Sequence, residues 1–549
     1  MKKNKYLYTL AASALLLAGN AFAADTELVL NVSEENLTWA DALWSDGVPT
    51  AETSALINIA DNEYPLLIQG AAVTGKLDVY NNTYILLSGE GNSLTTSFTG
   101  APYGDLNLYN NSKIVISDGA ALTIASGMSV RVSDNSELVV DNATFTGKLH
   151  TKANSVTIRN GATWNITGYE GTINDANISV INSSMVSTGG VGMGRGQTSG
   201  HTKVLNLQNS TWAMGGNGVN LSGIVNVLSS SITSTGHANV AAENGNASGE
   251  NLVFMQGSSA ESLSTMTAYK LWWNTNGGDT SSTLHQAGNT DITISNAFDS
   301  SNNTNGGGNV LWLFSGDNNT FQSNGGDSTW GDNSKNKNTT GVWKITNVQE
   351  EGGVETVSTN SLFKVNTMFL RASSVENNNL QSIVDWAGTG NTFRSSYDIR
   401  PVLSTGANTN ALTSFTVRDG ALADIGSYVI IGADAALSGT AEFNILNGAT
   451  YNQKYHLVLQ NSSVAGSTGQ SLATIDNATW NRTGGNVLIG VGTNPRNDNP
   501  NLNAISGTSI LTVKDATVTF GGNMRLAASN VDLSDSESVH TNVSKFVVH

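Results

Sequence analysis

Residues 156–168, VTIRNGATWNITG, set out a pattern that recurs along the chain. Apolar residues alternate with polar ones (Val156, Ile158), an Asn160-Gly161 pair follows, and small residues then lead to Trp164 and a second alternating run. Alternation with period two predicts a strand with one buried face, and Asn-Gly supplies the backbone freedom of a corner. The plan appears earlier as LDVYNNTYILLSG from Leu77, LNLYNNSKIVISDG from Leu106 and VRVSDNSELVVDNATFTG from Val130. It returns as ISVINSSMVSTGG from Ile178, LNLQNSTWAMGG from Leu205 and VNVLSSSITSTG from Val225. After Thr405 it resumes in FTVRDGALADIG, FNILNGATYNQ, ATIDNATWNRTGG and LTVKDATVTFGG, which begin at Phe415, Phe443, Ala473 and Leu511. The spacing is roughly 20 to 28 residues, the range of stacked repeat units.

Each unit predicts two short strands joined by an Asn or Asp corner. One such unit cannot bury its apolar face alone, so units must stack, about 4.8 Å per strand, each pairing its backbone with the coil above and below. The chain therefore reads as all-β, a right-handed parallel β-helix on the order of twenty coils and roughly 100 Å long. The repeated core VVDNATF, IRNGATW, LQNSTW, ILNGATY, IDNATW and VKDATV places Trp164, Trp212 and Trp480 where other copies carry Phe145, Tyr451 and Val518. Those positions are predicted to form a ladder in the core or along its edge. Residues 191–212, 428–451 and 487–518 share an opening strand, a variable polar loop, a second strand and this motif. Insertions are thus expected to project from one side of the stack.

Helical signals are weak throughout. The best candidate, Glu34 to Trp44, stands where a solenoid must hide its first open edge, and is read as a cap. The predicted organisation is residues 1–23 as a signal peptide, 24–60 as an N-terminal cap segment, 61–243 as β-helix repeats, 244–405 as a loop-rich β-helix section and 406–549 as further repeats.

Composition changes this picture in three ways. The start of the chain carries Lys2, Lys3 and Lys5, then an apolar run, then Ala21-Phe22-Ala23, which is the anatomy of a bacterial secretory signal cut after Ala23. No later segment is long and apolar enough to cross a bilayer as a helix. The chain has no cysteine, so disulfides, thiol nucleophiles and thiolate metal sites are excluded. Its net charge of −17, with no clustered Lys and Arg, excludes nucleic-acid binding, which needs a basic patch for the phosphates.

The search for chemistry finds no assembled set. Catalysis on a polysaccharide needs converging carboxylates and a nearby base or cation, whereas Asp118, Asp134, Asp141, Asp419, Asp476 and Asp515 fall one per corner. Asp498 beside Arg496 in TNPRNDNPN is the nearest approach to a constellation, and reads as a solvent-facing loop. The seven histidines, His150, His201, His237, His285, His456, His540 and His549, show no metal-binding spacing. Gly192-Met193-Gly194-Arg195-Gly196 looks like a phosphate loop but has no helix behind it, and reads as a turn. Leu271-Trp272-Trp273, Trp312, Trp330 and Trp343 present aromatic surface that either packs inside or stacks on sugars, with burial favoured. No catalytic, cofactor-binding or metal residue is assigned, and no cofactor.

The exported start, the Thr38-Trp39…Trp44-x-x-Gly47-x-Pro49 segment leading to Ala55-x-Ile57, and the NGAT units together resemble the passenger regions of autotransporter adhesins. They are equally similar to the exported, pectin-lyase-like β-helix repeat proteins of Gram-negative and allied bacteria. The resemblance covers most of residues 36–528. It implies a scaffold displayed at the outer-membrane surface or released, contacting host cells, neighbouring cells or glycans. Autotransporters end in a membrane barrel with a terminal aromatic residue, whereas this sequence stops at NVSKFVVH, and it is read as a passenger fragment. The alternative is a polysaccharide lyase or glycoside hydrolase on the same fold.

Overall fold

A computed structural model of the 549-residue chain describes residues 26–28, 36–58, 64–97, 105–125, 129–167, 170–173, 175–189, 191–193, 203–216, 218–240, 251–273, 281–300, 309–331, 341–372, 380–403, 411–432, 438–461, 466–491, 506–526 and 542–549. The predicted signal segment, residues 1–23, lies outside them. The chain divides into two compact units, Met1–Thr167 and Gly168–His549. Both are built as parallel β-helices: among the described residues there is no helix, and the strands stack as long parallel ladders rather than closing into a barrel.

In the first unit the alternating runs form the expected strands, but a coil has three of them. Leu77–Tyr80, Tyr84–Ser88 and Ser93–Thr96 make one coil, and Leu106–Leu108, Lys113–Ser117 and Ala121–Ile124 make the next. The third strand is short and weakly apolar, as in SLTT, which is why it hides inside what reads as a connection. Register is fixed by inward side chains: Leu77, Leu106, Val130 and Leu149 stand above one another, as do Leu87, Ile116, Val140 and Ile158. All are buried, so slipping a strand by one residue would turn an entire apolar set outward.

The corners explain the Asn-rich sequence. Non-glycine residues with positive φ include Asn81, Asn110, Asp134, Asn142 and Asn160, and all in the described chain except Ser229 are Asn or Asp. These residues tolerate the left-handed region at lower cost than others. Their side chains then bond along the stack: Asn81 Nδ2 donates to Asn58 Oδ1 at 2.6 Å, and Asn110 Nδ2 to Asn81 Oδ1 at 3.2 Å.

The predicted cap is a turn rather than an amphipathic helix. The amides of Asp41 and Ala42 bond the Thr38 carbonyl, Trp39 N–H bonds Leu67 O at 2.7 Å, and Trp44 Nε1 bonds Trp39 O at 3.0 Å. The two buried indoles lie 4.8 Å apart. Glu34 and Glu35 lie outside the described residues.

The second unit repeats the plan on three parallel sheets. A coil runs, for example, from Ile224–Leu228 on the first sheet to Ser231–Ser234 on the second and His237–Val240 on the third. The third sheet has 13 strands, which at about 4.8 Å each span roughly 60 Å. Steps from second to third sheet stay short, as from Ser187 to Val191, Ser234 to His237 and Ala268 to Lys270. Steps from third to first sheet vary in length, from Ile173 to Asp175 at one extreme to Val491 to Gly507 and Leu526 to Asn542 at the other. Insertions are therefore frequent at the third-to-first corner, as the repeat alignment predicts, but the step from Thr346 to Leu362, between the first and second sheets, is equally long.

The interior changes along this unit. From Trp273 to Phe393 it is aromatic: the Trp312 ring lies 4.5 Å from Phe321, 5.3 Å from Phe363 and 5.7 Å from Phe298, and its Nε1 donates to Gln286 Oε1 at 3.0 Å. One large excursion is described, an antiparallel hairpin of Val348–Glu351 with Val354–Val357, turned by Gly352 and Gly353, both with positive φ.

Candidate functional site

The residues that the sequence marks fall into place mostly as parts of the lattice. In the first unit Trp164 stands on Phe145, and in the second Trp480 stands between Tyr451 and Val518, each in an inward column with its rings buried. Trp212 takes the same position opposite Met185 and Ile232. Trp273, Trp312, Trp330 and Trp343 are buried too, so the sugar-stacking reading fails for them: their rungs turn them inward. Trp272 alone of that group points outward.

The corner aspartates split into two positions. Asp118, Asp134, Asp419 and Asp515 take positive φ themselves, whereas Asp141 and Asp476 end strands just before Asn142 and Asn477. Their partners are structural: Arg159 Nη2 meets Asp141 at 2.7 Å and Asn447 Nδ2 meets Asp419 at 3.2 Å. Hydroxyls of Ser88 and Ser117 donating to Asp118 hold its carboxyl below the ordinary value. Asp498 and Arg496 lie outside the described residues. Gly192 belongs to the strand Val191–Met193, opposite Asn220, so this stretch is strand where a turn is predicted, and Gly194 to Gly196 lie outside the description.

Histidines do not gather. His237 stacks on Trp272 at 3.8 Å, His285 Nε2 lies 2.6 Å from Ser315 Oγ, and His456 Nδ1 accepts the Asn486 amide at 3.1 Å. Burial pushes the pKa of His237 and His285 down, aided at His237 by Lys270. His549 is exposed, while His201, His540 and the side chain of His150 lie outside the description. Among the described residues no three His, Asp or Glu stand close enough to hold a metal ion.

Two outward clusters have chemistry that the sequence reading missed. On the third sheet the register brings Asn239, Trp272, Asp299, Thr329, Phe369 and Arg400 into one outward column. Lys270 lies over Trp272 at 5.6 Å and pairs with Asp299 at 3.3 Å. Arg371 and Arg400 lie over Phe369 at 4.5 and 5.0 Å, and Arg400 also pairs with Asp398. Ring faces here are already occupied by neighbouring rungs.

The second cluster is centred on Arg418. Its Nη1 and Nη2 bond Glu355 at 2.9 and 3.1 Å, Nε bonds Asp385 at 3.0 Å and Nη1 bonds Asp419 at 2.6 Å, with Lys344 3.3 Å from Asp385. Hydrogen bonds to Asp385 first, then to Glu355 and Asp419, raise the guanidinium's affinity for its proton still further. Three carboxylates thus meet one cation, but all are spent on it, and the result is a clamp holding the hairpin through Glu355.

Two buried charges complete the set. Asp105 is fully buried, and neither carboxylate oxygen bonds a described residue. Burial raises its pKa to about 7, against the pull of Lys76. Arg482 is 1 % exposed inside the second unit. Its signal is legible in ATWNR: if Trp480 points inward, alternation carries Arg482 inward as well. Asp105 gives no such signal, because it precedes its strand.

Neither a family model, nor a curated protein, nor a solved structure matches this chain.

Proposed function

We propose that the chain is an exported β-solenoid scaffold, displayed on the outer-membrane surface of a Gram-negative-type bacterium or released from it, that mediates contact with host cells, neighbouring cells or glycans. The observation that carries this reading is the division of labour in the second unit. Steps from second to third sheet stay short, while the steps from third to first sheet vary widely and one first-to-second step carries the 348–357 hairpin. Rigid coils with variable corners suit a surface that holds changeable recognition segments in a fixed row. The polar side chains of the described faces support it too, being engaged with one another in ladders and clamps.

The test is adhesion. Beads coated with residues 24–549 should adhere to bacterial or epithelial cells or to arrayed glycans. Exchanging the connections 241–250, 301–308 and 332–340 for short Gly-Ser links should abolish the effect while the β-sheet circular dichroism stays unchanged. Adhesion equal to that of an unrelated acidic protein would overturn the reading. Export has its own assay: residues 1–30 fused to a periplasm-dependent reporter should yield activity, with Ala24 as the new N-terminus.

A second reading, a polysaccharide lyase or hydrolase, draws on one observation, the meeting of Glu355, Asp385 and Asp419 around Arg418. Release of unsaturated products from polyuronates, lost in Arg418→Lys, would favour it over adhesion.

A further inference from the structure

The second sheet of the second unit turns one column of side chains into the core. Through the closing coils it reads Ser395, Ile425, Gln453 and Arg482, with Phe520, in register on the next rung, 44 % exposed. Arg482 is the anomaly, a guanidinium placed where other rungs carry serine, isoleucine or glutamine.

Only one of its nitrogens is satisfied: Nε donates to the Tyr455 carbonyl at 3.0 Å. Among the described residues Nη1 and Nη2 are buried without a hydrogen-bond partner, and so is the Tyr451 hydroxyl. Tyr451 belongs to the preceding rung and is, among the described residues, the one titratable group felt electrostatically by Arg482. Trp480, buried two residues before Arg482, stacks on Tyr451 at 5.9 Å, and the partly exposed Phe520 of the next rung lies 5.1 Å from Trp480. Gly522 borders it, where a Cβ would lie 3.6 Å from Nη2 and 1.8 Å from the Gly485 carbonyl.

An arginine does not escape burial by losing its proton. An isolated buried charge costs several kcal/mol, and each unmet donor adds to that cost. A carboxylate would be the ordinary remedy, and none among the described residues pairs with Arg482. What remains there is a buried planar fork of unbonded N–H donors and, one rung away, a buried unbonded phenol. That is the donor set of an anion site: a fork matches an oxyanion with two parallel bonds, and the hydroxyl adds a third donor. The overall charge of −17 would repel large polyanions, but a small ion that reaches the core meets the local cation first.

We propose that Arg482 and Tyr451 bind a small inorganic anion inside the second unit, and that this ion is part of the folded structure. Because the unfolded chain lacks the site, bound anion stabilises the fold by mass action: each tenfold rise in anion above its dissociation constant multiplies the folded-to-unfolded ratio tenfold.

The experiment follows thermal unfolding of residues 24–549 in gluconate buffer at constant ionic strength, with chloride or sulfate exchanged in. Wild type should gain stability with either ion in the saturable, logarithmic manner of a bound ligand. Arg482→Met, which keeps length and removes charge, should show no such gain and should be at least as stable as wild type in gluconate. Tyr451→Phe should still respond but need several-fold more anion. Equal responses in wild type and Arg482→Met, or a flat wild type, would overturn the proposal. If Arg482→Met fails to fold, bromide soaked into wild-type crystals decides: an anomalous peak within hydrogen-bonding distance of the Arg482 fork supports the site, and its absence at saturating bromide refutes it.

Discussion

Residues 77–166 and residues 271–393 wind the same three-strand coil around different interiors. In the first, the inward columns are mostly Leu, Ile and Val, each touching its equivalents one rung above and below. In the second, Trp273, Phe298, Trp312, Phe321, Trp330 and Phe363 interlock across several rungs at ring distances from 4.5 to 6.5 Å. The backbone ladder and the corners are common to both. The lattice therefore sets the fold, and the interior is free to trade aliphatic for aromatic volume as long as a coil stays filled.

The largest expected effect separates the two interiors. Trp312→Ala should cost about 3–5 kcal/mol, since it leaves a cavity shared by several rungs and an unpaired Gln286 amide oxygen. Leu108→Ala should cost about 2–3 kcal/mol, because the void is confined to one column. Hydrogen exchange by mass spectrometry checks the spread: loss of protection should reach rungs on both sides of 310–314 in the first variant, and stay within neighbouring strands in the second. Equal spread would break the contrast.

The buried charges sharpen it next. Arg482 cannot neutralise itself, whereas Asp105 can. With a folded pKa of about 7 against an unfolded value near 3.9, Asp105 keeps its proton in the fold while the unfolded chain loses it. Stability of the first unit should therefore fall as pH rises from about 4 to about 7, by up to about 1.4 kcal/mol per pH unit, and stay level above that range. Lys76, held at 2.6 Å by Asp78, tempers the penalty without bonding Asp105. Asp105→Asn should remove this slope in denaturant melts across pH and be the more stable protein at pH 8.

Corners come third. Asn110→Ala, at φ 54° and with its bond to Asn81 lost, should cost about 1–2 kcal/mol, and Asn110→Gly distinctly less. Equal costs in urea titrations would show that the side-chain ladder, not backbone conformation, dominates. Smallest is the clamp: Arg418→Met should lower global stability by about 1 kcal/mol or less, because Glu355 is half exposed, yet speed proteolytic cutting in 348–357.

Most of the fold is legible in the sequence because period-two alternation and Asn corners are local rules, and the stack follows from them. The third strand of each coil is not, since SLTT or HANV has too little apolar contrast to stand out from a loop. The predicted cap segment differs in form from its pattern: Trp39 and Trp44 meet in a turn, not on a helix. Arg482 is deducible from Trp480 by alternation, whereas the Arg418 clamp depends on partners 33 and 63 residues away that no local pattern links.

The central claim, a parallel stack in one register, can be tested directly because the chain has no cysteine of its own. Asn206 and Asn226 face outward from adjacent first-sheet strands, with their amides bonded at 2.8 Å, while Val225 points into the core opposite Leu205. Under mild oxidation, Asn206→Cys with Asn226→Cys should cross-link rapidly and Asn206→Cys with Val225→Cys should not. Equal cross-linking, or the reverse preference, would contradict the register and the fold built on it.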